Sequence, residues 1–377
     1  MDFLAEISHY GFWFIVVLTV LVFVHEMGHF AVARLCGVRV EVFSIGFGPE
    51  MFGVTDRHGT RWKVSWLPLG GYVKMFGQED NAIEGEAAKP MTAAERAVSF
   101  KEKSVGRRAA IVVAGPLANY VFAIIVLAVL YATIGRPFSA PVISELVEGS
   151  AAAEAGLLPG DRVVAINGAR IEHFEDIQDI MQLNLDQPMA LVVQRGDQQL
   201  TMDVHPKIVE EKDIFGDTLK VGRLGIRGGK PGDLTQLGVG ESLVAAVQEA
   251  YRVSAGILTG VKQMVTGVRS TDELGGVLRI AKMSGDVAQF GFLSLVNLAV
   301  LLSINLGLIN LFPVPLLDGG HLAFYAVEAV SGRPLNGRAQ EWGLKIGLAL
   351  VLSLMLFATW NDLVYLKVFD YIRALFT

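Results

Sequence analysis

Two histidines four residues apart, with a glutamate directly after the first, form the string HEMGH: His25, Glu26 and His29. On a helix, residues i and i+4 share a face, so the two imidazoles can hold one metal ion together. Glu26, one residue past the first ligand, can reach a water on that ion. This is a zinc-hydrolase arrangement, in which two imidazoles bind and the carboxylate acts as general base. Zinc brings the pKa of a bound water to about 7, which makes hydroxide available at neutral pH. A catalytic zinc takes three protein ligands and keeps one position open, and no third ligand follows HEMGH closely. It must come from another buried segment, and the strongest candidate is Asp318 in NLFPVPLLDGGH.

The elements that position these residues belong to a membrane protein. Of 377 residues, 52% are hydrophobic and 19% charged, against about 25% charged in an ordinary soluble protein; mean hydropathy is +0.45. A spanning helix needs about 20 mostly apolar residues, and four segments qualify: about Tyr10 to Ala33, Ala109 to Ile134, a stretch within Phe290–Leu317, and Gly343 to Leu366. The leader MDFLAEISHY holds Asp2 and Glu6 and no basic residue. Signal peptides start with a basic stretch, so the first segment reads as a retained span. HEMGH falls within it, and ionisable groups at membrane depth are costly and usually functional. Pro313 and Pro315 break the helix before Asp318, Gly319 and Gly320 loosen the backbone after it, and broken helices at this depth are tolerated where they line a site. His321 reads as interfacial. The net charge of −6 is spread along the chain and does not suggest nucleic-acid binding. The single cysteine, Cys36, excludes an internal disulfide and a multi-thiolate metal site.

Basic residues crowd the loop between the first two spans and the short loop before the fourth, which places both in the cytoplasm. The N-terminus, the long middle region and the C-terminus then face outward, and HEMGH lies in the cytoplasmic third of its span. The expected divisions are 1–36 (first span), 37–106 (cytoplasmic loop), 107–136 (second span), 137–230 (outward α/β domain), 231–288 (amphipathic helix and linker), 289–325 (third span with Asp318) and 326–377 (fourth span and tail). Alternation at Val38, Val40, Val42 and at Trp62, Val64, Trp66 predicts short strands in the loop, with a bend at Gly70 and Gly71. Residues 77–105 read as a polar loop with a short helix. In the outward domain, PVISEL, DRVVAIN, MALVVQR and LTMDVH read as strands and EDIQDIMQLN as a helix. The charges Glu241, Glu249, Arg252 and Lys262 make 239–268 an amphipathic surface helix rather than a span, and 270–288 reads as a gating linker.

At this point the chain resembles the site-2 protease family of intramembrane zinc proteases, in particular the bacterial regulator-of-sigma-E type. HEMGH matches the family's HExxH; Asn310, Pro313, Pro315, Asp318 and Gly319 match its N-x-x-P-x-P-x-L-D-G; Gly115, Pro116 and Asn119 in GPLANY match a G-P-x-x-N element of its second span; Asn361 and Asp362 resemble a polar pair in its fourth. The resemblance implies zinc held by His25, His29 and Asp318, with Glu26 as the catalytic base. It also implies a small membrane-associated sheet beside the site. A peptide bond inside a helix is shielded from attack, so the substrate must unwind, and adding it as a strand to a sheet edge would do so. The hairpin 60–75, with Gly70 and Gly71, is the expected edge. Asn119 or Asn310 could orient the substrate or its oxyanion. AGLLPGDRVVAINGARI resembles a bacterial PDZ pattern, and Leu224, Gly225 and Ile226 in VGRLGIRG resemble a PDZ carboxylate-binding loop in circularly permuted order. The best-known enterobacterial members carry two PDZ domains; this chain has room for one. The fold expected is therefore a polytopic α-helical membrane protein with four transmembrane helices, a membrane-associated β-hairpin or sheet, and one extracytoplasmic circularly permuted PDZ (α/β) domain. The expected partners are the lipid bilayer and single-span substrates of the anti-sigma-factor type or leftover signal peptides. The PDZ domain reads equally as a binder of a peptide ligand and as a size filter that excludes substrates with bulky outer domains. The expected location is the bacterial cytoplasmic (inner) membrane. A zinc transporter would need acids and histidines lining several spans, and the second has none.

Overall fold

Apolar residues without an internal proline carry the first helix, α1 (Asp2–Leu35), for 34 residues. It closes where the Gly37 and Val38 N–H groups bond the Arg34 and Ala33 carbonyls at 3.0 and 2.9 Å, which satisfies carbonyls that a helix end leaves without partners. The computed structural model describes residues 2–78, 91–137, 139–183, 187–212, 218–228, 234–366 and 368. The chain divides into two units, Met1–Ile124 with Leu274–Thr377, and Ile125–Glu273.

The expected strands after α1 are long: β1 (Val40–Thr55) and β2 (Arg61–Met75). Their register shows each bending back on itself. Residues 42–45 match 71–74 on one side and 61–64 on the other, and 61–64 also match 52–55. Residues 71–75 therefore form an outer row, while 61–64 are flanked on both sides. Aromatic packing holds this sheet on α1: the Phe43 and Trp62 rings stack with centroids 4.5 Å apart, and Phe30 meets Trp62 edge-on at 4.9 Å. Such pairs contribute about 0.5–1.5 kcal/mol each beyond their buried area. Val40, Val73, Met75, Ile111 and Val112 are buried around them, whereas Trp66, Leu67 and Leu69 are exposed. Of the loop expected over 77–105, residues 79–90 lie outside those described. Its short helix is α2 (Ala93–Val98), opened by a capping box between Thr92 and Glu95. Helix α3 (Val105–Thr133) contains Pro116.

The second unit holds β3 (Arg136–Pro137), β4 (Ile143–Leu146), α4 (Ala151–Glu154), β5 (Arg162–Ile166), β6 (Ala169–Arg170), α5 (Phe174–Leu183), β7 (Met189–Arg195), β8 (Gln198–Val204), β9 (Lys207–Lys212), β10 (Thr218–Arg223), β11 (Ile226–Gly228), β12 (Leu234–Thr235) and α6 (Val239–Val265). Its main sheet has the order β6-β5-β7-β8, and β4 pairs with β11. Asn167 and Gly168, at φ 50° and 81°, make the two-residue turn between β5 and β6 that the Asn-Gly dipeptide predicts. Ile143, Leu157, Val163, Ile177, Leu191 and Leu224 form the core with α5 packed across it. The β9–β10 hairpin is unforeseen because KIVEEK has no clean apolar alternation. On helix α6, Leu243, Val244 and Val247 are exposed and Ala245, Ala246 and Ala250 are buried.

After a 3₁₀ turn at Thr271–Glu273 come α7 (Val277–Gln289), α8 (Phe292–Asn310), α9 (Asp318–Ser331) and α10 (Gly337–Tyr365). The expected linker over 270–288 is thus corrected to a helix, and the reason lies far away in sequence. Asp362 on α10 is fully buried and accepts hydrogen bonds from the backbone N–H groups of Gly276, Leu278 and Arg279 at 2.8, 3.0 and 3.1 Å. The first N–H groups of a helix have no partner within it, so a carboxylate from another helix caps α7. In turn α7 rests on the start of α1, where His9 Nε2 lies 3.1 Å from the Gly285 carbonyl oxygen.

Among the described residues, four helices are long and apolar enough to cross a membrane: Ser8–Leu35, Val105–Thr133, Phe292–Asn310 and Gly337–Tyr365. On α10 the side chains of Ile346, Leu350, Leu354 and Leu356 are exposed, a face suited to lipid and costly in water. The chain is a multi-pass membrane protein. The third apolar helix ends at Asn310, so residues 311–317 form a separate turn before Asp318.

In the second unit, Arg195 reaches both carboxylate oxygens of buried Asp161 at 2.7 Å and holds that carboxyl below its usual range. A depressed carboxylate pKa adds stability that is present above the unfolded value of about 3.9 and is lost as pH falls through the folded value. Replacing Arg195→Met should lower the stability of this unit. Amide exchange measured along β5 and β7 should then show protection failing at a higher pH than in the wild type.

Candidate metal centre

Helix α1 carries His25 and His29 on one face, one turn apart, and both are buried, with 9% and 8% of their surface exposed. Asp318, the first residue of α9, comes to the same point. Its Oδ2 lies 3.2 Å from His25 Nε2 and 3.4 Å from His29 Nε2, and the two Nε2 atoms are 3.2 Å apart. Ligands placed tetrahedrally about 2.0–2.1 Å from a zinc ion would be separated by roughly 3.3 Å. The three atoms therefore stand where three corners of a zinc site should. Asp318 Oδ2 is also buried against the two imidazoles, so a cation held between the three would meet its charge. Among the described residues this is the one cluster of three or more such groups that could hold a metal. His321 does not join it.

The outer sides of the ligands decide their tautomers. His29 Nδ1 lies 2.9 Å from the Ile111 carbonyl oxygen on α3; it can only donate there, so Nε2 presents its lone pair to the cluster. This contact needs α1 and α3 to run close together, and glycines permit it. A Cβ at Gly28 would meet the Ala118 Cβ at 2.7 Å, and one at Gly115 would clash with Nε2 of the His29 ring. Small residues allow the same close approach between membrane helices generally. The Asp318 turn is set by packing as well. Gly319 and Gly320 are buried under the carbonyls of Leu311, Phe312 and Val314, so they tighten the turn where the sequence suggested loosening. Gly347 of α10 backs the turn at Pro315.

The outer row of β2 runs beside Glu26. The Val73 backbone N–H bonds to the Glu26 carboxylate, and a Cβ on Gly71 would sit 3.3 Å from Glu26 Cγ. Gly70, at φ 140°, turns the strand beneath the Phe47 ring, which stacks on Tyr72. Of the two asparagines singled out, Asn310 donates from Nδ2 to the Leu306 carbonyl of its own helix at 3.0 Å. Asn119 is buried, with Nδ2 3.2 Å from His25 Nδ1. GPLANY marked this part of α3 in the sequence, yet not the partners of its residues, because Ile111, Gly115 and Asn119 meet the histidines only when α1 and α3 pack. Leu224, Gly225 and Ile226 lie in the second unit. With Phe174, Ile177, Gln178 and Met181 of α5 they line a groove of about 540 Å³.

The sequence profile of peptidase family M50 matches residues 13–354. A protein of Agrobacterium fabrum described as a candidate zinc metalloprotease is 45% identical over 355 residues, covering 93% of this chain and 94% of its own. One of Rhizobium meliloti, described in the same way, is 42% identical over 94% of this chain and 96% of its own. Metalloprotease MmpA of Caulobacter vibrioides is 36% identical over 96% of this chain and 97% of its own.

If the glycine contact positions His29, then Gly115→Val should lower the zinc content of the purified protein although no ligand is changed. A drop of about 10-fold or more in zinc affinity is expected, the scale on which disturbed ligand orientation acts. Chelator competition measures it.

Proposed function

Because the chain belongs to peptidase family M50 and is a zinc metalloendopeptidase acting in the membrane, we propose that it cleaves within the transmembrane segments of single-span membrane proteins, with Glu26 as general base beside zinc held by His25, His29 and Asp318. The observation that carries this reading is the convergence of three ligand atoms at 3.2–3.4 Å, two from a helix long enough to span a bilayer and one from the start of α9, with the Glu26 carboxylate beside them. Bound zinc would acidify a water molecule and polarise the scissile carbonyl. Glu26 takes the proton from the attacking water and delivers it to the leaving amine. The Val73 N–H holds the carboxylate in place for both transfers.

The sheet supplies the substrate's conformation. A chain added along the outer row of β2 near Gly71 is extended, and its carbonyls pass next to Glu26. Adding a side chain at Gly71 would push Ser44 and Val22, at 2.7 and 2.8 Å from the Cβ position, and separate the strand from the base. Gly70 shapes the row and Gly71 permits the approach, so both serve substrate binding through the backbone.

The second unit reads as a single circularly permuted PDZ-like domain over 137–230. Its groove between Leu224–Ile226 and α5 suits an extended apolar peptide end added beside β11. The charge of the loops puts this domain and both termini outside and the zinc site near the cytoplasmic side of a bacterial inner membrane. Substrates of the anti-sigma-factor type, or remnant signal peptides, fit a site that accepts one unwound helix.

Glu26→Gln should keep its zinc and lose cleavage of a single-span model substrate by about 10²–10⁴-fold, scored by gel assay with metal analysis on the same sample; full cleavage would overturn the role of Glu26. For the groove, a peptide with a free apolar C-terminus should bind the full chain, and Gln178→Trp, which fills the groove from α5, should weaken it at least about 10-fold, near 1.4 kcal/mol, by fluorescence anisotropy.

A further inference from the structure

We propose that Asn119 is a positioning residue for zinc: its side-chain amide sets the tautomer of His25, and does not contact substrate. The proposal rests on the zinc reading of the His25–His29–Asp318 cluster.

The argument starts from burial. Asn119 is fully buried in α3, and Ser303 of α8 donates to its backbone carbonyl at 3.0 Å, so this point of α3 is held from a second helix. Its side chain faces His25 Nδ1 at 3.2 Å, while its Oδ1 is buried with no donor. A neutral imidazole carries one proton. Nε2 of His25 faces the Asp318 carboxylate and His29 Nε2. For Nε2 to give its lone pair to a metal, the proton must sit on Nδ1, and Nδ1–H then needs an acceptor. The amide as placed offers Nδ2, a donor. A half-turn about the last side-chain bond exchanges the two amide atoms with almost no change of shape and presents Oδ1 instead.

The amide thus fits both states of His25. Without metal, Nε2–H can donate to Asp318 and Nδ1 can accept from Nδ2. With metal, the proton lies on Nδ1 and Oδ1 accepts it. A carboxylate would serve only the second state and an alkyl group neither. His29 has a fixed acceptor, the Ile111 carbonyl, so of the two ligand histidines it is His25 that depends on a side chain for its tautomer.

The test is zinc affinity of the full-length protein in detergent, by chelator competition, with thermal stability of the zinc-free form recorded alongside. Asn119→Leu should weaken zinc binding about 10–100-fold, and Asn119→Asp should bind at least as tightly as wild type. Should Asn119→Leu fail to fold, Asn119→Ala takes its place in the same comparison. Wild-type zinc affinity in Asn119→Leu with cleavage lost would overturn the proposal in favour of a substrate contact. Equal weakening in the Asp and Leu variants would overturn it in favour of packing. A wild type that binds no zinc would instead defeat the reading of the cluster itself.

Discussion

Two imidazoles on a membrane-length helix and a carboxylate from the start of α9 meet within a few ångströms, largely buried from solvent. Each polar atom left unpaired in such a place costs several kcal/mol, so the surrounding helices must satisfy the atoms that face away from the metal. That demand accounts for the most particular packing in the molecule. The Ile111 carbonyl takes His29 Nδ1, Asn119 faces His25 Nδ1, and α1 and α3 come close enough for both because Gly28 and Gly115 leave room. A larger residue at either position would pull the outer partners away even with every ligand intact.

The third ligand extends the same demand to the other half of the unit. Asp318 must reach α1 from a chain that has just crossed as α8. The prolines stop that helix at Asn310, and seven residues fold under it before α9 begins at Asp318. Helix α10 supports this turn at Pro315 and, a few turns along, caps α7 with Asp362. Since α7 leans on the start of α1, the fourth apolar helix braces both sources of ligands without supplying one. The polar pair Asn361 and Asp362, near the C-terminal end of an apolar helix, fits this bracing: a buried carboxyl group is tolerated where three backbone donors receive it.

The sheet adds a further constraint. Its strands fold back so that 71–75 form an outer row beside Glu26. The packing of the Phe43 and Trp62 rings with Phe30 of α1 therefore fixes how that row lies against Glu26.

By itself the sequence determined the chemistry and its setting. HEMGH names a ligand pair because helical spacing is a local property, and the four apolar runs name the spans because hydropathy is additive over a window. The Asn-Gly turn and the helix read from EDIQDIMQLN, observed as Phe174–Leu183, were legible for the same reason. What only the tertiary structure decided are the relations between segments far apart in the chain. The helix at 277–289 looked like a linker because its cap comes from Asp362. The contact between Asn119 and His25 could not be read locally, because the two lie on different helices. The folding back of β1 and β2 is a matter of register, which local alternation does not encode. Local rules read a residue's own neighbours in sequence; a buried polar atom in a membrane is settled by neighbours that only packing brings to it.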